Sequence, residues 1–247
     1  MELLANKMRP KSLKDIIGQK HLIGEDKVLT NLVKNGKIFS MILYGKPGIG
    51  KTSIANALIN ELHIRSKFLN ATTNNKADFD IAIEEAKMYG EMILVIDEIH
   101  RMNKDKQDIL LPHIESGLII LIGLTTSNPY HKINPAIRSR CQIYELKELS
   151  IEDIIEGLKR AYTYLPDLKI EDDALKYIAT LSGGDFRSAL NTLEVSYYAT
   201  KDHIITIEEI KKINNKPVFF HDKNEDGYYE VLSAFQKSIR GSDVDAS

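Results

Sequence analysis

Five short apolar runs punctuate the first 150 residues, and apolar positions recur at helical spacing between them. The runs are FSMILY (39–44), KFLNAT (67–72), EMILVIDEIH (91–100), LIILIGLTTSN (118–128) and the shorter QIYELK (142–147). A continuous apolar run bounded by turn residues predicts a strand buried on both faces. Between the runs, KTSIANALINEL (51–62) places Ile54, Leu58 and Leu62 on one helical face. ADFDIAIEEAKMYG (77–90) predicts a helix closed by Gly90, and NKDKQDILLPHIESG (103–117) a helix opened by Asn103 as cap. The stretch RPKSLKDIIGQKHLIG (9–24) reads as loop, short helix and turn. Strands alternating with helices predict an α/β fold, a parallel sheet with helices on both faces.

The pattern changes near Leu149. From there helical periods dominate and no strand is expected. Ser150 opens one helix, with Asp153 three residues later in a capping-box arrangement. EDDALKYIATLSGG (171–184), FRSALNTLEVSYYAT (186–200) and TIEEIKKIN (206–214), the last opened by Thr206, predict three more. KPVFFHDKNEDG (216–227) reads as a loop, and YYEVLSAFQKSI (228–239) begins another helix. The expected organisation is an α/β domain over 1–148, a small all-helical domain over 149–215, and the start of a further helical region over 216–247.

Composition narrows the chemistry. The chain has 247 residues, 43% of them hydrophobic, which suits one large domain or two unequal ones. Its net charge of −2 gives no bulk attraction to nucleic acid, so any DNA or RNA would have to meet a local patch. One cysteine, Cys141, forms no intrachain disulfide and suits a reducing compartment. No apolar run approaches the ~20 residues of a membrane span. The opening MELLANKMRP lacks a secretory pattern, so no membrane partner and a cytoplasmic location are expected. The seven histidines show no zinc spacing, and no G-x-S-x-G elbow is present. His100 and Cys141 are expected to be packing residues rather than a ligand and a reactive thiol.

The chemistry-bearing stretch is GKPGIGKT (45–52), which fits G-x-x-x-x-G-K-[ST] between a predicted strand and a predicted helix. A triphosphate needs a concave nest of backbone N–H groups, and the glycines permit the turn and the close approach. Gly45, Lys46, Pro47, Gly48, Ile49, Gly50, Lys51 and Thr52, followed by Ser53, are the expected nucleotide-binding residues. Lys51 would reach the β- and γ-phosphates of ATP, and Thr52 would hold Mg²⁺. The next helix adds its N-terminal dipole. The run ILVIDEIH then offers Asp97 for the Mg²⁺ shell and Glu98 to polarise the attacking water, at the carboxyl end of a strand where such sheets bind ligands. A glycine-rich turn and a solvated acidic turn are the plain alternatives for these two stretches.

Three further residues are candidates. Asn128, in the TTSN that ends the fourth run, is placed to stand between the water and the γ-phosphate; a turn cap before Pro129 is an equal reading. Arg138 and Arg140 precede the edge strand. A guanidinium there either serves a neighbouring subunit's γ-phosphate or forms surface ion pairs. Arg187, in GGDFRSAL, stands near a helix start after a flexible Gly-Gly, within reach of the same chain's nucleotide.

Phosphate loop, Asp-Glu pair, Asn-ended strand, Ser-Arg-Cys and Gly-Asp-x-Arg, in this order, resemble an AAA+ ATPase of the clamp-loader clade. MRPKSLKDIIGQKHLIG, DEIHRMNKDKQDILLPHIESG, NPYHKINPAIRSRCQIYEL and LSAFQKSIRGSDVDA resemble, more closely, the replication-associated recombination proteins, whose eukaryotic counterpart is the Werner-helicase-interacting ATPase. The resemblance covers nearly the whole chain. It implies a five-stranded parallel P-loop core with a helical lid, and DNA-stimulated ATP hydrolysis between subunits of an oligomer. It implies work in replication-fork maintenance, repair and recombination. The implied partners are single-stranded, forked or gapped DNA, replication proteins such as single-strand binding protein, and further copies of the chain at the nucleoid. By the same resemblance Lys51 and Thr52 match the Walker A pair, Asp97 and Glu98 Walker B, Asn128 sensor 1, Arg140 the trans-acting arginine finger and Arg187 sensor 2. Ile17, Gly18 and Gln19 match the adenine-pocket segment, and Asn70 a position that restrains the catalytic glutamate. Lys46 departs from the family, which usually has proline there. The family's C-terminal tetramerisation region continues beyond GSDVDAS, so tetramer formation by this chain is left open. A sliding-clamp-loader subunit and a nucleotide-binding scaffold for replication proteins are the competing readings.

Overall fold

The computed structural model describes residues 2–213, which lie in one compact unit. The loop and helix expected over 216–247 lie outside the described residues. Five parallel strands form the central sheet: β1 (Met41–Tyr44), β2 (Ser66–Asn70), β3 (Met92–Asp97), β4 (Ile119–Thr125) and β5 (Gln142–Glu145), in the spatial order β2-β3-β4-β1-β5. Each coincides with one of the five apolar runs. β3 and β4 are continuous apolar runs because both faces are covered. Ile93, Val95, Ile120 and Ile122 contribute to one core, and Met92, Leu94, Ile119 and Leu121 to the other. The edge strand β5 is less buried, which matches its weaker apolar signal.

The helices are α1 (Leu4–Lys7), α2 (Val28–Lys34), α3 (Lys51–Leu62), α4 (Lys76–Tyr89), α5 (Lys104–Glu115), α6 (Pro129–Lys132), α7 (Pro135–Arg138), α8 (Ile151–Ala161), α9 (Asp172–Leu181), α10 (Phe186–Ala199) and α11 (Ile207–Ile213). Helices α2 and α3 pack one sheet face, α4 and α5 the other. The caps read from sequence are in place. Asn103 accepts from Lys106 N–H, the Ser150 and Asp153 side chains form a full capping box, and Gly90 closes α4 with φ +92°.

A third core joins α8, α9, α10 and α11, with Leu4 of α1 reaching into it. So the extreme N-terminal turn packs with helices about 150 residues later. Glu194 holds it there by accepting from Leu4 N–H at 3.0 Å.

Two expectations need correcting. The helical region does contain extended backbone: β6 (Lys169–Ile170) pairs in parallel with β7 (Ile204–Ile205). Two residues per strand are too few to show alternation, and long-range pairing alone makes them extended. Helix α2 was also not expected in the mixed N-terminal stretch. It lacks a side-chain cap at Lys27 and is held by tertiary packing of the fully buried Leu29.

Candidate active site

Strand order decides which residues meet. The phosphate loop leaves the carboxyl end of β1, the acidic pair leaves β3, and β4 lies between them. The end of β4 is therefore wedged between loop and acids. Gly45 N–H donates to Thr125 O at 3.2 Å, tying loop to β4.

Three loop glycines, Gly45, Gly48 and Gly50, adopt positive φ. Gly50, at +104°, is the left-handed residue from which α3 departs. Gly48, at +70°, is required for a second reason. A methyl group there would fall 1.8 Å from Asp185 Oδ1, since the start of α10 lies directly against the loop. Phe186 N–H donates to Gly48 O at 3.2 Å. Ile49 is buried in the core under the loop, whereas Lys46 and Pro47 face solvent. Lys46 pairs with Glu148 at 2.5 Å. Thr52 and Ser53 are half-buried in the first turn of α3.

Lys51 Nζ donates to Gly45 O at 2.7 Å and to Lys46 O at 2.6 Å, so the loop wraps its own ammonium. Burial lowers the Lys51 pKa below the ordinary lysine value. Glu98 and Asp97 oppose that shift, Arg187 adds to it, and Asp185 opposes it. Lys51, Asp97, Glu98, Asp185 and Arg187 thus share one electrostatic neighbourhood.

Asp97 Oδ1 accepts from Glu98 N–H at 3.0 Å. Glu98 then turns left-handed, φ +53°. That conformation costs a non-glycine residue on the order of 1 kcal/mol. It starts a single 3-10 turn, Ile99–Arg101, which folds back over β4. Gly123 of β4 accommodates this turn; a methyl group there would meet Ile99 Cδ1 at 2.9 Å.

The structure does not bring every candidate inward. Asn128 is exposed, and its Oδ1 accepts from Tyr130 N–H at 3.0 Å as the cap of α6. Of the two readings open in the sequence, the cap is the one observed. The polar residue of β4 that turns inward is Thr125, which is fully buried. Its Oγ1 lies 2.8 Å from His100 Nδ1. Sequence reading passed over Thr125 because a threonine in a TTSN string carries no mark of which neighbour points inward. Asn70 stands opposite Asp97 in the sheet, but its Oδ1 accepts from Thr72 N–H at 2.9 Å rather than engaging Glu98.

Arg187 is exposed on the second residue of α10. Arg140 is elsewhere. Its guanidinium pairs with Glu115 at the end of α5 and donates to Ala136 O at 2.7 Å. Arg138 is held apart from it, over the Tyr130 ring at 5.3 Å.

The IIGQ segment closes the other side. Gln19, buried and left-handed at φ +53°, donates to Lys147 O at 2.7 Å and Ile49 O at 3.2 Å and accepts from Lys147 N–H at 3.0 Å. It couples the phosphate loop to the exit of β5. Gly18 has φ +65° against Leu149. Ile17 and the Phe186 ring both pack on α8 at Gly157, where a methyl group would meet them at 2.3 and 2.5 Å. Three distant segments thus form an apolar wall beside the loop.

Thr52 and Asp97 offer hard oxygen donors of the kind Mg²⁺ takes. Among the described residues no cluster of three or more His, Cys, Asp or Glu is placed to hold a metal, so a cation here would need further oxygens from a nucleotide.

Residues 8–136 match the family model described as the Holliday junction DNA helicase RuvB P-loop domain, and residues 164–240 match an AAA C-terminal domain. The chain is 51% identical over 260 residues to the replication-associated recombination protein A of Bacillus subtilis, covering all of this chain and 61% of that one. It is 35% identical to the ATPase WRNIP1 of Dictyostelium discoideum over 99% of this chain and 31% of that one. The chain therefore spans less than two thirds of either relative. The RuvB Holliday junction branch migration motor of Thermotoga maritima superposes with a TM-score of 0.74 at 26% identity, over 94% of this chain and 80% of that structure.

Proposed function

Because the chain belongs to the replication-associated recombination family of AAA+ ATPases, we propose that it binds ATP at the β1–α3 loop and hydrolyses it in an oligomer engaged on DNA. The observation that carries the reading is the glycine loop wrapped on Lys51 at the carboxyl end of β1, with Asp97 and Glu98 at the carboxyl end of β3 and the start of α10 against Gly48.

In this reading the loop N–H groups and Lys51 cradle the phosphates. Lys51 exchanges its two loop carbonyls for phosphate oxygens on binding. Ile17 and Phe186 supply the apolar wall for the adenine. Thr52 and Asp97 would hold magnesium, which would supply charge neutralisation. Glu98 accepts a hydrogen bond from the water that attacks the γ-phosphorus. The bond from that phosphorus to the β,γ-bridging oxygen breaks and ADP leaves. The water's proton passes to carboxylate or phosphate oxygen. Arg187 spans from the helical region, residues 149–215 acting as a lid, to the phosphates of its own chain.

Arg140 lies outside this neighbourhood, so its role is assigned to a neighbour's phosphate in a homo-oligomer. Single-stranded, forked or gapped DNA is the proposed polymer partner, with replication proteins such as single-strand binding protein acting beside it. Among the described residues no helix is long and apolar enough to cross a membrane.

The test is ATP turnover against the chain's own concentration, with and without single-stranded DNA. A rate per subunit that rises with both supports hydrolysis between subunits. Tight nucleotide binding with a flat, negligible rate at every concentration would favour a nucleotide-binding scaffold.

A further inference from the structure

The 3-10 turn after Glu98 places His100 where neither its sequence nor the proposed reaction requires it. The imidazole is only 11% exposed, beside a Glu98 side chain that is 31% exposed. His100 Nδ1 lies 2.8 Å from Thr125 Oγ1 and 3.4 Å from Glu98 Oε2. Thr125 Oγ1 also accepts from Ser127 N–H at 3.0 Å, and it donates to Ser127 O at 3.2 Å. The Thr125 hydroxyl can give its proton to the Ser127 carbonyl or to His100 Nδ1, and the Glu98 carboxylate beside Nδ1 separates the two cases. With the hydrogen on Nε2 the carboxylate, which only accepts, would face the Nδ1 lone pair; with the hydrogen on Nδ1 it faces an N–H that also reaches Thr125 Oγ1, and the hydroxyl turns to Ser127 O.

We propose that His100 is a positioning residue for Glu98, an Nδ1–H donor that locks the carboxylate against the end of β4 through Thr125. This rests on the hydrolase reading, in which Glu98 orients the attacking water. The physical need is plain. Glu98 departs from β3 in a left-handed conformation, and His100 lies within ion-pair distance of its carboxylate. A carboxylate free to rotate about its side-chain bonds is rarely aligned with a water, whereas one restrained by an imidazole that is itself bonded to β4 is aligned by the sheet. Ile99 packing against Gly123 sets the turn that aims the imidazole.

The geometry makes a discriminating test possible, because an asparagine amide superposes its N–H₂ on the histidine Nδ1 and a glutamine amide superposes it on Nε2. Turnover and ATP-analogue affinity would be measured for the full chain carrying His100→Ala, His100→Gln and His100→Asn, beside Glu98→Gln. Loss of one positioning hydrogen bond corresponds to about a tenfold fall in kcat. That fall is expected for His100→Ala and His100→Gln with unchanged nucleotide affinity, and His100→Asn is expected to recover most of the rate. Equal loss in all three variants, loss in none, or a parallel loss of affinity would overturn the proposal. Retained turnover in Glu98→Gln would instead overturn the hydrolase reading. A second readout needs no turnover. A long-range ¹H–¹⁵N spectrum should show His100, identified by the signal missing from His100→Asn, as the Nδ1–H tautomer. An Nε2–H tautomer would sink the assignment.

Discussion

Arg187 and Arg140 both lie near a helix end, Arg187 in the first turn of α10 and Arg140 just after α7, yet the fold treats them in opposite ways. Arg187 shares an electrostatic neighbourhood with Lys51, Asp185 and the two β3 carboxylates. Arg140 turns away to the far end of α5, where Glu115 and the Ala136 carbonyl occupy its guanidinium. The difference separates a half-site that one chain assembles alone from a charge that one chain holds in reserve at its surface. In the first region segments far apart in the sequence, Gln19 and Asp185 among them, converge on a loop. In the second an exposed ion pair keeps a cation ready for another partner.

The largest expected effect breaks that contrast directly. Arg140→Ala should leave ATP-analogue affinity of the dilute chain unchanged and lower turnover of assembled protein by about 10³-fold, the scale of a trans-acting arginine. Arg187→Ala should weaken nucleotide binding already in the dilute chain. Titrating turnover and fluorescent-nucleotide affinity against protein concentration checks both. An affinity defect in the dilute Arg140 variant would remove its assignment to a neighbour.

A smaller effect tests how α10 meets the loop. Gly48→Ala puts a methyl group onto the Asp185 carboxylate and strains a positive φ. Nucleotide affinity is expected to fall by about tenfold, an estimate from the ~1 kcal/mol or more of left-handed strain with a displaced contact. Equilibrium binding measures it, and unchanged affinity would mean that α10 yields freely.

Glu115→Ala sharpens the picture of the reserved arginine. The pair is more than a third exposed on both sides, so unfolding stability should change by less than about 1 kcal/mol. Turnover should be preserved, because Glu115 restrains the free chain only. A large stability loss in a denaturant titration would show that the pair is structural.

The smallest effect concerns Cys141, beside Arg140 but 8% exposed. Burial pushes its thiol up from 9.0 to about 12. A raised acid pKa means the neutral thiol is favoured in the fold. Its contribution is complete below pH 9 and is lost as pH rises from there towards 12. Alkylation of the native chain near neutral pH should accordingly be much slower than of the unfolded chain, and equal rates would contradict the burial.

Much of this molecule was legible from local pattern. The five strands, the phosphate loop and the caps at Asn103, Ser150 and Gly90 each depend on residues within a few positions of one another, so periodicity and capping chemistry were sufficient. Which residues meet at the site depended instead on strand order. β4 lies between β1 and β3, although it follows both in the chain. That permutation brings His100 onto Thr125 at the end of β4, while packing of the helical region sets Asp185 on Gly48 across 137 positions of sequence. Hydrogen bonds and van der Waals contacts act over a few ångströms of space, not of chain. The sequence therefore determined the parts and their chemistry, and the packed sheet with its helices decided which of them touch.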